Sequence, residues 1–295
     1  MNPVSSRQEQ TISNPVEVEG IGFITGSFVT LRFCPAPENT GIIFVRTDVN
    51  PKIFIPATIS NVTGTNRRTT LGNAPFQVTL VEHVLAALSG LKIDNCFVEL
   101  NGCEPPGLDG SASDFVLALK KAGSVRQKSK KLIYGVDSPV IVQANGCTLA
   151  LHPCEGSGLK MTYFLDYGHH SPIVKQVHTQ NIEPSLFVRE ISRCRTFLLE
   201  EEAEVLKSQG IGSRTTEQDL VIFGPRGPLN NPLRFANEPA RHKVLDILGD
   251  LSLLGVDLCG HVVAYKSGHP LNVELARTLT QKMMLGHKPS IRLAA

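Results

Sequence analysis

The sequence predicts an α+β protein made of two similar units packed together. Two observations lead to this prediction. The chain has 295 residues, enough for two ordinary domains, and 41% of them are hydrophobic while 19% are charged, which suits buried cores better than disorder. In addition, strands, a helix with a histidine in its first turns, a strand, a loop and a second helix occur in the first half and recur in the second.

The first unit is predicted to cover residues 1–125. Its strand segments alternate polar and apolar residues or form short apolar runs, and its first helix places Leu80, Val84 and Leu88 at helical spacing before Gly90. The predicted elements are strands at 16–19, 29–33 and 41–45, a helix at 79–89, a strand at 95–100, a loop rich in glycine and proline at 102–110, and a helix at 111–121.

A basic segment at residues 126–131 separates the two halves. It is polar and shows no periodicity, which predicts a solvated linker, with a phosphate-binding patch as the alternative. The second unit then covers residues 132–295, with an insert near 197–222. Its predicted elements are strands within 132–177, helices at 198–208 and 239–254, a strand at 260–265, a tight loop at 266–269 and a last helix at 270–285.

Charge and cysteine content exclude several classes of protein. The net charge of +2 argues against a broad nucleic-acid surface and favours a compact ligand. The polar N-terminus lacks the apolar stretch of a signal peptide, and no apolar run reaches the length of a membrane span. The seven cysteines show no paired spacing, which predicts reduced thiols, a cytoplasmic protein and no structural zinc held by cysteines. A monomer is expected.

The helix predicted at 239–254 carries the strongest chemical signal. His242, Asp246 and Asp250 are spaced four residues apart, so they form one polar stripe on an otherwise apolar helix. Such a stripe is costly to bury without a partner, and imidazole nitrogen and carboxylate oxygen are good zinc ligands. The alternative is a half-exposed helix with an ordinary His–Asp pair, and the motif taken alone favours that alternative.

Two further motifs are individually weak. Glu82 and His83, near the start of the first helix, offer a base and a metal ligand. However, Thr79 and Glu82 also have the spacing of a helix capping box, and a single histidine is more often structural. His269 follows a strand on a glycine-containing loop, from which it either reaches into a cleft or serves as a turn residue.

Three features have plain structural alternatives. Residues 109–113 suit either phosphate binding at a helix N-terminus or simple helix capping, and capping is favoured. Thr196 and Phe197 offer a hydroxyl and an aromatic ring but are also typical of a strand end. His169 and His170 would point to opposite faces of an extended segment, which favours a surface position over a metal site.

Taken together, in this order and spacing, the motifs resemble the UDP-3-O-acyl-N-acetylglucosamine deacetylases, the zinc enzymes that commit bacteria to lipid A synthesis. The resemblance covers nearly the whole chain. It rests on residues 81–88 (VEHVLAAL), 108–112 (LDGSA), 195–197 (RTF), 241–250 (RHKVLDILGD) and 266–272 (KSGHPLN), and residues 46–48 (RTD) and 69–71 (TTL) agree as well. It implies two α+β domains, each a sheet packed on two helices, with the active site in the cleft between the helix layers.

The resemblance also implies the cofactor, the substrate and the roles of individual side chains. His83, His242 and Asp246 would hold one zinc ion, or iron(II) in its place, and leave one coordination position open. The substrate would be an acylated UDP-N-acetylglucosamine, cleaved to acetate and a free amine. The other implied roles are general base for Glu82, general acid for His269 paired with Asp250, oxyanion donor for Thr196, added positive charge for Lys243, a substrate contact for Phe197 and a diphosphate contact for Lys266.

Two stretches depart from the family pattern. Residues 22–26 read Gly-Phe-Ile-Thr-Gly and lack the histidine that is usual there. Residues 212–219 replace a Gly-Gly-Ser-Leu-Asp-Asn-like stretch beside the insert, which in the family forms an apolar passage for the acyl chain. The charges of Arg214, Glu217 and Asp219 predict an altered passage.

These departures keep two alternatives open. One is a zinc deacetylase of another N-acetylated sugar nucleotide, and the other is a non-catalytic binding module of the same fold. The presence of Glu82, His269 and Asp250 speaks against a binding module, because a binder needs no acid–base pair.

Overall fold

The structure is a computed structural model that describes residues 1–156 and 158–286. The strands of the first half are β1 (Asn2–Ile12), β2 (Val16–Ile21), β3 (Phe28–Pro35), β4 (Ile42–Arg46), β5 (Ile53–Pro56), β6 (Val62–Gly64), β7 (Thr70–Leu71), β8 (Val78–Thr79) and β9 (Cys96–Leu100). Its helices are α1 (Glu82–Gly90) and α2 (Ser113–Ala122), and a short 3-10 turn occupies Ile59–Asn61.

The rest of the described chain adds ten strands and four helices. The strands are β10 (Ser124–Gly135), β11 (Val140–Ala144), β12 (Cys147–His152), β13 (Leu159–Leu165), β14 (Gln176–Asn181), β15 (Phe197–Leu199), β16 (Val221–Gly224), β17 (Gly227–Pro228), β18 (Asp257–Leu258) and β19 (Gly260–Tyr265). The helices are α3 (Pro184–Leu186), which runs into a π-helical turn at Phe187–Ile191, α4 (Glu200–Ser208), α5 (Glu238–Ser252) and α6 (His269–Gly286). None of the helices in the described ranges is long and apolar enough to cross a membrane.

Two five-stranded sheets have the same topology. The first has the order β2-β3-β9-β4-β5 and the second β11-β12-β19-β13-β14. In each sheet the middle strand runs antiparallel to one neighbour and parallel to the other. The α+β class predicted from the sequence is therefore confirmed, and the recurring order of elements corresponds to two sheets of matching connectivity.

Helices α1 and α5 form the layer between the two sheets. Apolar side chains from both halves join in one continuous core, so both helices are buried on nearly every side. The helices cross closely at Gly249, where a Cβ atom would lie 2.2 Å from the backbone oxygen of Glu82. This crossing sets the start of α1 beside the C-terminal half of α5.

The segment at residues 126–131 is not a solvated linker, so that prediction was wrong. It forms the middle of β10, which pairs antiparallel with the equally unpredicted strand β1 and ends in a short parallel pairing with β18. Its side chains alternate between exposed and half-buried positions, as on a strand at the protein surface, and Arg126, Lys128 and Lys130 are on the exposed face. The division into units at 1–125 and 132–295 stays a prediction.

The start of the first helix also differs from the prediction. The helical spacing suggested a start at residue 79, but Val78 and Thr79 pair with β7 and Leu80 has a φ of 57°. A residue in the left-handed conformation cannot be part of a right-handed helix, so α1 begins only after Leu80, at Glu82.

The predicted insert near 197–222 folds as a small unit of its own. Strands β15, β16 and β17 form a three-stranded sheet, and α4 lies beside it. Ala203, Leu220 and Ile222 make a second, separate apolar cluster there.

The close crossing at Gly249 yields a stability prediction. We expect Gly249→Ala to lower the free energy of unfolding by about 1–3 kcal/mol, because the new methyl group overlaps the Glu82 carbonyl and forces the helices apart. Alanine would otherwise favour a helix by roughly 1 kcal/mol. Gly158→Ala is the control, since among the described residues other than its chain neighbours no atom lies within 4 Å of the added Cβ. Equal urea-unfolding midpoints for the two variants would contradict the steric argument.

Candidate active site

The crossing of α1 and α5 brings three potential metal ligands together. His83 lies in the first turn of α1, and His242 and Asp246 lie one turn apart on α5. One ligand atom from each residue lies within 4.8 Å of the other two. Asp246 Oδ1 is 3.3 Å from His242 Nε2 and 3.7 Å from His83 Nε2. The three atoms thus face one point between the helices.

The surroundings prepare these side chains for coordination. The Nδ1–H of His242 donates to the Cys194 carbonyl oxygen at 3.0 Å, which leaves Nε2 as the lone-pair nitrogen. Lys243 Nζ donates to Asp246 Oδ2 at 2.9 Å, so Oδ1 is the oxygen that faces the histidines. This donor set, two imidazoles and one carboxylate with fixed orientations, fits a divalent transition metal with an open position.

Burial and neighbouring charges favour a neutral His242 imidazole and an ionised Asp246 carboxylate, the protonation states that bind metal ions. Burial lowers the pKa of His242 to about 4, despite the nearby Asp246 carboxylate, and so keeps the ring neutral. Burial would raise the pKa of Asp246, but the Lys243 ammonium group beside it opposes that effect, and the pKa of Asp246 lies well below its usual range. The stripe formed by His242, Asp246 and Asp250 is at most 3% exposed, so the alternative of a half-exposed helix was wrong.

An acid–base pair lies next to the three ligands. His269 Nε2 is 3.8 Å from Glu82 Oε1, and His269 Nδ1 is 2.8 Å from Asp250 Oδ2. Burial alone would lower the pKa of His269, but the Asp250 and Glu82 carboxylates raise it to about 9. Burial raises the pKa of Glu82 above its ordinary value. A cationic imidazole and a carboxylate of increased basicity therefore face the same space.

The capping-box interpretation of Glu82 was wrong. Thr79 belongs to β8, where its hydroxyl pairs with that of Thr70 at 2.8 Å. Glu82 is the first residue of α1, and its Oε2 instead accepts the backbone N–H of Thr69 at 3.0 Å. The carboxylate thus points towards the ligand cluster and not back along its own helix.

The predicted substrate contacts divide into two groups. A cavity of about 420 Å³, called here the central cleft, contains the whole cluster. Thr196, Phe197 and Lys243 line it, and the Phe197 ring lies 5.5 Å from Lys243 Nζ. Lys266 is exposed and does not line the cleft. It lies in the turn before α6, with a backbone φ of 58°.

The remaining sequence motifs lie away from the ligand cluster. His169 and His170 are exposed. The Asp109 Oδ1 atom accepts hydrogen bonds from Ser111, whose hydroxyl accepts the N–H of Ser113 where α2 begins. The N-cap of α2 is Ala112, without a side-chain cap bond, so the favoured prediction of capping by Asp109 or Ser111 was wrong, and the two residues form a turn before the helix.

Sequence reasoning gave no role to several residues that shape the cleft. Phe23, Arg67 and Tyr167 line it, and the loop that carries Phe23 is held by Glu104. This fully buried carboxylate accepts the N–H groups of Ile24 and Thr25 at 2.9 and 2.7 Å. A glutamate between a cysteine and two prolines gave no signal, since only the fold brings it under residues 22–26.

An apolar groove opens from the central cleft towards the insert. It has a volume of about 130 Å³ and shares Phe23, Leu80 and Leu198 with the cleft. The far end of the apolar groove is lined by Ala203, Leu206, Ile211, Leu220 and Ile222.

The three charged residues expected to disturb this region do not line the apolar groove. Arg214 Nη1 donates to the Gly26 carbonyl oxygen at 3.1 Å, Glu217 accepts from Asn230, and Asp219 accepts the Thr216 N–H at 2.7 Å. Each charge is thus held by a backbone or side-chain partner, and none of the three residues is part of the groove lining.

Comparisons with known proteins agree with this arrangement. The family model described as UDP-3-O-acyl N-acetylglycosamine deacetylase (LpxC) matches residues 9–281. The UDP-3-O-acyl-N-acetylglucosamine deacetylase of Saccharophagus degradans is 38% identical to this chain, and the match covers 90% of this chain and 88% of that protein. The UDP-3-O-acyl-N-acetylglucosamine deacetylase of Teredinibacter turnerae is 37% identical, and the match covers 93% of this chain and 91% of that protein. The Bifunctional enzyme LpxC/FabZ of Chlorobaculum tepidum is 40% identical over 92% of this chain, which spans 64% of that longer protein.

The ligand cluster generates a prediction about metal content. We expect the purified protein to carry about one equivalent of transition metal, and His83→Ala to lose most of it, because two remaining ligands bind far more weakly than three. His169→Ala, which changes an exposed histidine, should keep the metal. Elemental analysis by mass spectrometry measures all three proteins. Equal metal content in both variants would mean that the ion binds elsewhere.

Proposed function

The chain belongs to the UDP-3-O-acyl N-acetylglycosamine deacetylase family, and on this basis we propose that it hydrolyses the N-acetyl group of UDP-3-O-acyl-N-acetylglucosamine. The products are acetate and UDP-3-O-acyl-glucosamine, and the reaction is the committed step of lipid A synthesis. The observation that carries the proposal is the convergence of His83, His242 and Asp246 beside the Glu82–His269 pair in one cleft. A cytoplasmic location and a monomeric state remain predictions.

We propose zinc as the ion held by these three ligands. Two neutral imidazoles and one carboxylate with an open position are the donor set of many catalytic zinc sites, although iron(II) accepts the same ligands. When bound, zinc supplies Lewis-acid polarisation of the acetamide carbonyl and makes water more acidic. All other steps are assigned to side chains of this chain.

Glu82 acts as the general base. Its Oε2 is held by the Thr69 N–H, so Oε1 is the atom that takes the proton of the attacking water. Burial raises the pKa of Glu82, which increases the affinity of its carboxylate for the proton of water. Thr196 and Lys243 line the cleft near the ligands and support the negative charge that develops on the carbonyl oxygen.

His269 acts as the general acid. It stays protonated until about pH 9, because the carboxylates of Asp250 and Glu82 overcome the effect of burial on its pKa. Its Nδ1–H donates to Asp250, so the proton on Nε2 faces the cleft and passes to the departing amine. Above that pH the acid is lost and the rate should fall, since a neutral imidazole cannot protonate the leaving group.

The apolar groove is the proposed site of the acyl chain. It continues from the central cleft along α4, and most of its exposed lining surface is apolar. Arg67 and Lys207 lie at its sides, where aliphatic stems can contact a chain while the charges stay in water. Arg214, Glu217 and Asp219 are not part of the groove lining, which supports an acylated substrate over a non-acylated sugar nucleotide.

A direct assay tests the proposed reaction. The zinc-loaded protein should release acetate from UDP-3-O-acyl-N-acetylglucosamine, and Glu82→Gln should lower kcat by roughly 10²- to 10⁴-fold because it removes the base while keeping the shape. Glu201→Gln, which changes an exposed residue on α4, is the control and should match the wild type. If zinc-loaded wild-type protein releases no acetate from this substrate, the assignment is wrong.

The groove gives a separate prediction about substrate recognition. Leu206 lines the apolar groove, whereas its neighbour Val205 is exposed. We expect Leu206→Asp to raise KM for the acylated substrate by about tenfold or more, because the acyl chain would desolvate a carboxylate. Val205→Asp should leave KM unchanged. Steady-state kinetics with both variants decide, and identical KM values would place the acyl chain elsewhere.

A further inference from the structure

The Asp250 carboxylate, which orients the general acid, is itself held by three hydrogen bonds. Its Oδ2 accepts from His269 Nδ1 and Asn272 Nδ2, both at 2.8 Å. Its Oδ1 accepts from Thr69 Oγ1 at 2.6 Å, and among the described residues Thr69 is the donor found at that oxygen. Asp250 is fully buried, so water does not take the place of these donors.

Thr69 contacts both members of the acid–base pair. Its hydroxyl binds the carboxylate that orients His269, and its backbone N–H binds Oε2 of Glu82 at 3.0 Å. The same residue therefore touches the partner of the acid and the base itself. Its side chain is completely buried and does not line the central cleft, so it cannot reach the substrate.

The hydroxyl proton of Thr69 has one direction available to it. The Thr69 Oγ1 atom lies 3.4 Å from His269 Nδ1, but that nitrogen already gives its proton to Asp250. An Nδ1–H group offers no lone pair, so the hydroxyl proton goes to Asp250 Oδ1 over the shorter distance of 2.6 Å. A serine supplies the same proton, and a valine of the same shape does not.

The backbone holds Thr69 firmly in this position. Thr69 immediately precedes β7, the middle strand of the sheet β6-β7-β8, and its carbonyl oxygen accepts the N–H of Val81 at 3.4 Å. Val81 directly precedes α1, so the contact ties the strand to the start of the helix that carries Glu82 and His83. These backbone contacts hold the hydroxyl and the N–H of Thr69 in place beside Asp250 and Glu82.

From these contacts we infer that Thr69 is a positioning residue for the deacetylation, which sets the general base and the general acid at a fixed separation across the cleft. The inference rests on the proposed function. Thr69 acts through Asp250 and Glu82, whose atoms it contacts, and takes no part in proton transfer itself. Loss of the hydroxyl frees Oδ1 of Asp250, and the carboxylate and the imidazole it holds can then rotate out of line with Glu82 Oε1.

The test compares Thr69→Val and Thr69→Ser with the wild type, all loaded with zinc. We expect Thr69→Val to lower kcat by about tenfold or more while KM changes by less than about twofold, since positioning affects the proton transfers and not substrate binding. Thr69→Ser should restore kcat to within about threefold of wild type. Thr70→Val is the matched control, because the Thr70 hydroxyl pairs with Thr79 outside the cleft.

A measurement without substrate or metal separates this inference from the proposed function. The low-field proton resonance of the His269 Nδ1–H group, followed by NMR on metal-free protein with labelled histidine, reports directly on its bond to Asp250. It should move in Thr69→Val, return in Thr69→Ser and stay unchanged in Thr70→Val. The thermal midpoint and zinc content of each variant verify that it is folded and able to load metal.

The outcomes are distinct. If Thr69→Val keeps the wild-type kcat and the wild-type resonance, the positioning role is refuted while the deacetylase assignment stands. If Thr69→Ser is as slow as Thr69→Val, the hydroxyl is not the group that matters, which also refutes the role. If the wild type is inactive but the resonance moves as expected, the proposed reaction fails and the contact between Thr69 and the Asp250–His269 pair stands.

Discussion

The close crossing of α1 and α5 is the contact on which the whole site depends. At Gly249 the two helices approach so nearly that there is no room for a Cβ atom beside the Glu82 carbonyl. Glu82 and His83 occupy the first turn of α1, so this approach delivers both to the polar stripe of α5. The two sheets then serve as walls that bury the helices and exclude water from the groups between them.

Burial makes the charges in this layer interdependent. His242 and His269 are both buried, yet the pKa of the first is lowered to about 4 and that of the second is raised to about 9. The difference lies in their partners. His242 donates to a neutral carbonyl and shares Asp246 with the Lys243 cation, whereas His269 donates to Asp250 and also faces Glu82. One residue type therefore supplies a neutral and a cationic imidazole to the same cleft.

Three charged residues of the insert depart from the family pattern without lining the apolar groove. Arg214, Glu217 and Asp219 lie beside the predicted acyl passage, but each is held by a backbone or side-chain partner and none of them lines the apolar groove. The groove is lined from α4 and β16 and from the loop at residues 22–26. That loop lacks the usual histidine and is held by the buried carboxylate of Glu104. One wall of the groove thus depends on the contact of Ile24 and Thr25 with Glu104, which lies about 80 residues later in the sequence.

The sequence by itself determined the elements that follow from local spacing. The four-residue interval of His242, Asp246 and Asp250 requires one stripe on a helix, and the recurring order of elements predicted two similar halves, because both features depend only on helical and strand periodicity. Only the tertiary structure decided that this stripe is buried and that residues 126–131 form a strand paired with β1. It also decided that the Glu82 carboxylate accepts the Thr69 N–H and does not take part in a capping box. These outcomes depend on groups that lie far apart along the chain and meet only when the two halves pack, so no local pattern could report them.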